Sequence, residues 1–307
     1  MIIKTKTGHA PCVAIVAPGG YAPDAAALQR GLERLAGFGC SIRNFYEHDA
    51  RFQRFGGSDA ARAAQLHAAA ADPQVDIVLA LRGGYGLSRL LPLLDLPMLA
   101  ASGKLFVGHS DFTALQLALL GQGGCMSFAG PMLCDDFTRD DLSVSTLPDF
   151  WTCLQGPAHV VCSSAPDNPP LNLTGTLWGG NLAMLTHLVG TPYLPQIKDG
   201  ILFIEDVNEH PFRVERMILQ LFHSGVLADQ QALLLGDFSN YRLSPYDNGY
   251  DFPAMLAYLR ASIGIPVVTG LPFGHGCDKV TLAVGSRAQL IVDGDALRLI
   301  MREYPRL

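Results

Sequence analysis

Gly108-His109-Ser110-Asp111 joins a short apolar run, Leu105–Gly108, to the apolar helical pattern Phe112–Leu120. A serine at such a junction is held with its Oγ exposed, while the unpaired amides of the new helix point toward it. Those are the parts of an acyl-transfer nucleophile and its oxyanion site. Gly108 would permit the tight turn, but Phe112 stands where the usual Gly-x-Ser-x-Gly elbow has its second glycine. Ser110 and Asp111 would serve equally well as helix caps, and these four residues alone leave both roles open.

A serine hydroxyl is a weak nucleophile near neutral pH and needs a base. Of the nine histidines, His109 should point its ring away from the neighbouring Oγ, and His187 and His223 fall inside helical patterns. His275 differs, because Leu271-Pro-Phe-Gly-His-Gly276 presents it on a glycine-flanked loop just past a strand pattern. The base in turn needs an acid to orient it. Ile201-Leu-Phe-Ile-Glu205 is an apolar strand ending in a carboxylate, with Asp206 and Glu209 as nearby competitors. An acid here could also cap the next helix or pair with Arg213 or Arg216. Ser…Glu…His is one of several chain orders this constellation takes.

Arg82-Gly-Gly-Tyr-Gly86 ends another strand pattern. It is neither Gly-x-Gly-x-x-Gly nor a P-loop with Lys-Ser/Thr. Glycine lets a backbone N–H approach another atom closely, so Gly84 could supply one oxyanion donor and the Asp111 N–H the other; a plain tight turn is the competing reading. A substrate bearing a free carboxylate would need a cation to hold it. Arg82 is a candidate clamp, and Tyr85 and Trp178 are candidates for packing on a bound ligand, though core packing would explain an aromatic equally.

These residues require a particular scaffold. Cys12–Ala17, Ser41–Tyr46, Asp76–Leu81 and Leu105–Gly108 read as apolar strands, separated by helices over about Asp24–Phe38 and Ser58–Ala71, the latter capped by Ser58 or Asp59. Near-continuous apolar strands alternating with helices predict a parallel sheet covered on both faces, with ligands beyond its C-terminal strand ends. Pro18-Gly19-Gly20, Arg82–Gly86 and Gly108–Asp111 all fall there. Helical periodicity fades after Trp151, and the proline-rich stretch Ala165–Pro170 marks a linker. Beyond it come a helix after Asn181, a strand Ile201–Glu205, a helix Pro211–His223 with proline at N1, strands Ala232–Gly236 and Pro266–Thr269, and a hairpin Ala288–Met301 turning at Asp293-Gly294. The expected division is 1–155 as an α/β domain carrying the nucleophile, 156–171 as linker, and 172–307 as a smaller, mixed, β-rich domain carrying the acid and base.

Bulk composition narrows the class. At 307 residues, 49% hydrophobic and 16% charged, the chain has ample apolar content for a packed core. A net charge of −6 with scattered basic residues argues against a nucleic-acid or anionic-membrane partner. No apolar run approaches the ~20 residues of a membrane span, and the N-terminal run Cys12–Ala17 is too short for a signal segment. The seven cysteines are odd in number and lack a Cys-x-x-Cys pair, which points to reduced thiols in a cytoplasmic protein.

Taken together, Arg82–Gly86, Gly108-His-Ser-Asp-Phe-Thr113, Gly175-Thr-Leu-Trp-Gly-Gly-Asn-Leu182, Ile204-Glu-Asp-Val-Asn-Glu-His-Pro-Phe-Arg213 and Gly270-Leu-Pro-Phe-Gly-His275 resemble the LD-carboxypeptidase (murein tetrapeptide carboxypeptidase) family over essentially the whole chain. The resemblance implies a catalytic Ser110–Glu205–His275 triad without metal or organic cofactor, on an N-terminal flavodoxin-like domain paired with a smaller β-rich one. It further implies a cytoplasmic homodimer that removes the terminal D-alanine of muropeptide tetrapeptides in peptidoglycan recycling. The chain departs from the family pattern after His275, where it reads Gly276-Cys277-Asp278-Lys279; Cys277 is expected to be incidental. Two other readings compete: a self-immunity peptidase acting on an aminoacyl-nucleotide antibiotic, and a non-catalytic α/β ligand-binding protein.

Overall fold

The computed structural model describes residues 2–307. Its strands are β1 (Cys12–Val16), β2 (Ser41–Asn44), β3 (Ile77–Ala80), β4 (Leu105–Gly108), β5 (Ser127–Ala129), β6 (Ala158–Ser164) and β7 (Leu171–Asn181). They continue with β8 (Gly200–Val207), β9 (Gln230–Ser239), β10 (Val267–Val268), β11 (Leu282–Val284), β12 (Arg287–Asp293) and β13 (Ala296–Arg302). The α-helices are α1 (Ala25–Gly37), α2 (Asp59–Ala71), α3 (Leu87–Leu90), α4 (Leu96–Ala101), α5 (Thr113–Gly123), α6 (Thr146–Gln155), α7 (Leu182–His187), α8 (Pro211–His223) and α9 (Phe252–Ser262).

One sheet has the order β11-β5-β4-β3-β1-β2, parallel from β2 through β5. That is the 2-1-3-4-5 order of flavodoxin-like folds, whose ligands sit at the carboxyl ends of the strands. Every residue of β1, β3 and β4 is buried, as strands covered on both faces must be. The helices α1 and α2 begin at side-chain caps: Asp24 accepts from the Ala26 and Ala27 amides, and Ser58, rather than Asp59, accepts from Ala61.

The other sheet has the order β10-β9-β8-β7-β12-β13-β6, parallel from β10 to β7 and antiparallel beyond. The expected hairpin forms, with Asp293 paired to Ala296 and Gly294 in the left-handed region. Its strands alternate buried and exposed residues, the signature of a sheet with one wet face.

Two expectations about domain division are corrected. Residues 156–171 are not a plain linker, because 158–164 form β6, the edge of the second sheet. Residues 172–307 are not confined to the second sheet either: β11 crosses back and pairs antiparallel with β5. Both segments are short or polar, and pairing with a distant strand, rather than local pattern, makes them extended.

The helix that follows Ser110 is central to the packing. Thr113 through Leu119 of α5 are all buried, as expected for a helix with no polar face. The same helix packs against β5 of one sheet and β7 of the other. Both apolar layers of the core draw residues from both sheets, for example Leu79, Val107, Leu177 and Phe203 in one and Val78, Trp178 and Ile204 in the other.

Candidate active site

The three glycine-containing loops after β1, β3 and β4 converge, since those strands are neighbours. The Gly20 N–H donates to the Gly83 carbonyl at 3.0 Å. A Cβ on Gly83 would lie 2.8 Å from Ser110 Cβ and 2.9 Å from its Oγ, so any side chain there would displace the serine. Strain falls on Ser110 itself, whose φ is +61°. The left-handed region is unfavourable for a residue with a Cβ, by roughly 1–2 kcal/mol, and such residues concentrate at functional turns. Gly108 therefore has a role other than the expected one. Its backbone lies against the Phe112 ring and Ala80, which a Cβ would meet at 2.7 and 2.9 Å.

Asp111 locks this turn to the glycine loop. Its Oδ2 accepts from the Leu87 N–H at 2.8 Å, and the Gly86 amide also bonds the carboxylate. Burial pushes its pKa up to about 6 against those hydrogen bonds. The Gly84 backbone has φ +88°, and neither the Gly84 nor the Asp111 amide donates to a protein acceptor among the described residues. Both are free for a ligand oxygen.

The candidate acid, Glu205, lies on β8 of the second sheet, and the candidate base, His275, on the loop after β10. Glu205, fully buried near the end of β8, accepts from His275 Nδ1 at 2.7 Å through Oε2. Asn181 Nδ2 donates to Glu205 Oε1 at 3.3 Å and to Asp206 Oδ1 at 3.1 Å. Asp206 also accepts from the Ala183 and Val207 amides, and burial, then its Glu205 neighbour, holds its carboxyl up at about 6. Asn181 was not anticipated from the sequence as part of this network; its place at the end of a Gly-Gly-Asn run was the available signal. Gly179 and Gly180 let β7 press close, since Cβ atoms there would collide with the Phe203 carbonyl oxygen and, at 2.5 Å, with Thr113 Oγ1. The Asn181 N–H accordingly donates to Thr113 Oγ1 on α5 at 3.0 Å.

His275 reaches the serine turn through His109. Their ring centroids are 5.3 Å apart, edge to face. His109 is buried, its Nδ1 bonded to the Gly130 carbonyl at 2.8 Å, and burial drives its pKa down to about 3, so it is neutral. Burial acts to lower the His275 pKa as well, but the Glu205 hydrogen bond and the Glu205 and Asp206 charges outweigh it and raise it above the usual imidazole value. With Nδ1 donating to Glu205, Nε2 is left as the basic nitrogen. Ser110 Oγ, the candidate nucleophile, makes no hydrogen bond among the described residues, and catalytic hydrogen bonds are often long before substrate binds.

The His275 loop is fastened to the first half of the chain. Lys279 pairs with Asp136, both side chains buried. The Lys279 N–H donates to Thr146 Oγ1 at 2.9 Å, and Ser143 Oγ donates to Asp278 at 2.6 Å. Exposed Cys277 accepts from Arg139 through its sulfur.

The expected substrate contacts divide. Arg82 is partly buried beside the glycine loop and Tyr85 is exposed next to Phe55. Trp178 does not reach the site: it is 1% exposed and donates its indole N–H to Gln230 Oε1 at 2.7 Å. Strand alternation turns it into the core between β7 and the helices, where its one polar atom is satisfied. No group of three or more His, Cys, Asp or Glu residues is arranged to hold a metal among the described residues. No helix among them is long and apolar enough to cross a membrane.

Residues 13–130 match the model of the LD-carboxypeptidase N-terminal domain and residues 174–290 that of the LD-carboxypeptidase C-terminal domain. The chain is 53% identical to the crystal structure of a muramoyltetrapeptide carboxypeptidase from Oxalobacter formigenes, with a TM-score of 0.93, covering 96% of this chain and 99% of that one. A Streptomyces coelicolor protein, named a carboxypeptidase by inference, is 36% identical over 295 residues, 94% of this chain and 92% of its own. The microcin C7 self-immunity protein MccF, in complex with aspartyl sulfamoyl adenosine, shares the fold: 22% identity, TM-score 0.87, 99% of each chain covered.

Proposed function

The chain belongs to the LD-carboxypeptidase family and is a carboxypeptidase acting on peptides, and from that premise we propose that it is a serine hydrolase releasing the terminal D-alanine of muropeptide tetrapeptides in peptidoglycan recycling. The observation that carries the reading is the Glu205–His275 hydrogen bond, delivered against the ring of His109, beside a serine held at positive φ.

In this mechanism His275 Nε2 takes the Ser110 proton as Oγ attacks the carbonyl of the scissile L,D bond. The free Gly84 and Asp111 amides hold the oxyanion. The imidazolium returns its proton to the departing D-alanine nitrogen, and Glu205 stabilises that cation and keeps the proton on Nδ1. Water, activated by the same imidazole, then hydrolyses the acyl-enzyme. Arg82 supplies a cation for a substrate carboxylate and Tyr85 an exposed aromatic wall. Stacking on a nucleobase, which an aminoacyl-nucleotide substrate would call for, finds no support from buried Trp178. Cytoplasmic location and a homodimer complete the reading.

Incubating the protein with a muropeptide tetrapeptide and following D-alanine by mass spectrometry tests it. Ser110→Ala should lower kcat/KM by roughly 10⁴-fold or more. Undiminished turnover in that variant, or cleavage confined to the D,D bond of a pentapeptide, overturns the proposal.

A further inference from the structure

Arg62 is completely buried, an unusual place for a guanidinium, and the loops around it are those of the proposed oxyanion site. It lies on α2 one turn after Asp59. Arg62 Nη1 donates to the Pro18 carbonyl and, at 3.1 Å, to the Gly86 carbonyl. Its Nη2 pairs with Asp59 Oδ1, and the other oxygen of that carboxylate accepts from Arg89 Nε at 2.9 Å. The two guanidinium groups share the Phe55 ring, their carbons lying 4.5 Å (Arg62) and 5.0 Å (Arg89) from its centroid. Gly86 leaves the room this needs, since a Cβ there would stand 2.6 Å from Arg62 Nη1.

These bonds bracket Gly83 and Gly84. Pro18 leads into Gly19-Gly20, where the Gly20 N–H donates to the Gly83 carbonyl and a Cβ on Gly19 would stand 2.6 Å from the Gly84 carbonyl oxygen. Gly86 follows them, its carbonyl on Arg62 while its own amide and that of Leu87 bond the Asp111 carboxylate. The Gly56 N–H donates to the Gly19 carbonyl at 3.1 Å and closes the ring of contacts. One guanidinium nitrogen thus holds both backbone segments that fix where Gly84 stands. Stability does not call for the charge. Burying a guanidinium carries a large desolvation cost, and an apolar side chain of similar volume often serves a fold as well or better. Here Nε also finds no acceptor among the described residues. What an apolar side chain cannot do is donate to two carbonyls at once.

We infer, resting on the serine-carboxypeptidase reading of Ser110, that Arg62 is a positioning residue of the oxyanion site: by holding the Pro18 and Gly86 carbonyls it sets the place of the Gly84 amide relative to Ser110. Arg62 touches no reacting atom. Its removal leaves the substrate's binding groups in place and shifts a donor that matters once the carbonyl oxygen becomes an anion. Arg62→Met should therefore lower kcat while KM holds, the pattern of an interaction made only in the transition state. A misplacement of about 1 Å costs roughly 10²-fold, and kcat should fall by about that factor.

A tripeptide boronic acid, whose boron replaces the scissile carbonyl and the D-alanine after it, separates misplacement from misfolding. Ser110 Oγ adds reversibly to boron, forming an O–B bond while its proton passes to His275, and one hydroxyl of the resulting tetrahedral anion occupies the oxyanion site. The Ki of this probe does not depend on how much of a preparation is folded, whereas kcat does. In Arg62→Met the Ki should rise about 10²-fold, in step with the fall in kcat/KM. Arg62→Lys keeps a shorter donor on the same side and should restore part of both, with Ki about tenfold above wild type; it is the variant to read if Arg62→Met does not fold. An unchanged Ki, with activity falling only in proportion to folded protein, overturns the positioning role and leaves the carboxypeptidase intact. A raised KM with kcat unchanged also overturns it, because the lost contact would then be one of substrate binding. Wild-type protein that neither releases D-alanine from the tetrapeptide nor binds the boronic acid overturns the carboxypeptidase reading itself, and the positioning role with it.

Discussion

Glu205→Gln is the sharpest probe of the proposed mechanism because the structure dictates which way the new amide must face. Glu205 Oε1 accepts from Asn181 Nδ2 and Oε2 accepts from His275 Nδ1. A carboxylate satisfies both donors, whereas an amide has one acceptor and one donor end. Asn181 is itself held, accepting from the Met184 N–H and donating to Asp206, so it keeps presenting its NH₂ to position 205. The glutamine oxygen then faces Asn181 and its NH₂ faces His275 Nδ1, moving the imidazole proton to Nε2, where a base is needed. A wrong tautomer of this kind slows turnover by about 10⁴-fold in the chymotrypsin-type triad, or ~5 kcal/mol at 1.36 kcal/mol per tenfold. The expected result is turnover slowed by roughly 10³–10⁴-fold, with KM nearly unchanged and the fold intact. Thermal stability should hold or rise, because the change removes one of two adjacent buried carboxylates. D-alanine release under saturating tetrapeptide, alongside a melting curve, measures both. Adding Asn181→Ala frees the amide to turn, so the double variant should be more active than Glu205→Gln alone, a non-additivity that marks direct coupling. A Glu205→Gln variant that turns over within about tenfold of wild type would refute the reasoning, and so would a double variant no better than the single one.

Gly83→Ala places a methyl within 3 Å of Ser110 Cβ and Oγ; turnover should slow by about 10²-fold or more, as for small misplacements of reacting groups, while melting temperature changes little, and steady-state kinetics decides. Lys279→Met strands the Asp136 carboxylate inside the protein and should cost about 3–5 kcal/mol in urea unfolding, most of it recovered by adding Asp136→Asn. The raised His275 pKa predicts that kcat/KM climbs with pH through a limb centred above 6.5, since only the neutral ring accepts the serine proton. In linkage terms the folded state binds the His275 proton more tightly, so this group's stabilisation is full below the unfolded imidazole value and is lost as pH rises through the folded one. A pH–rate profile whose acid limb lies below 6.5 contradicts that assignment.

Local pattern sufficed for much of this protein. Buried strands β1, β3 and β4, helices α1, α2 and α8, and the closing hairpin declare themselves through periodicity and caps, because their stabilising contacts repeat at the spacing of the element. Residue type and position also made Ser110, Glu205 and His275 candidates, each at the end of an apolar strand pattern or on a glycine-flanked loop, and the family resemblance chose them over competitors such as Asp206 and Glu209. Other features have no local signature. β6 and β11 are extended because a distant strand pairs with them, and Trp178 sits in a motif yet turns inward because pairing with β8 sets its face. Asn181, the Asp111 carboxylate and the Lys279–Asp136 pair act on partners 24, 24 and 143 residues away. Chemistry at the level of residue type is therefore written along the chain. Orientation is not: whether a glutamate holds a proton on Nδ1, or a glycine leaves room for a serine, depends on which surfaces two sheets bring within hydrogen-bonding distance, and only their packing decides that.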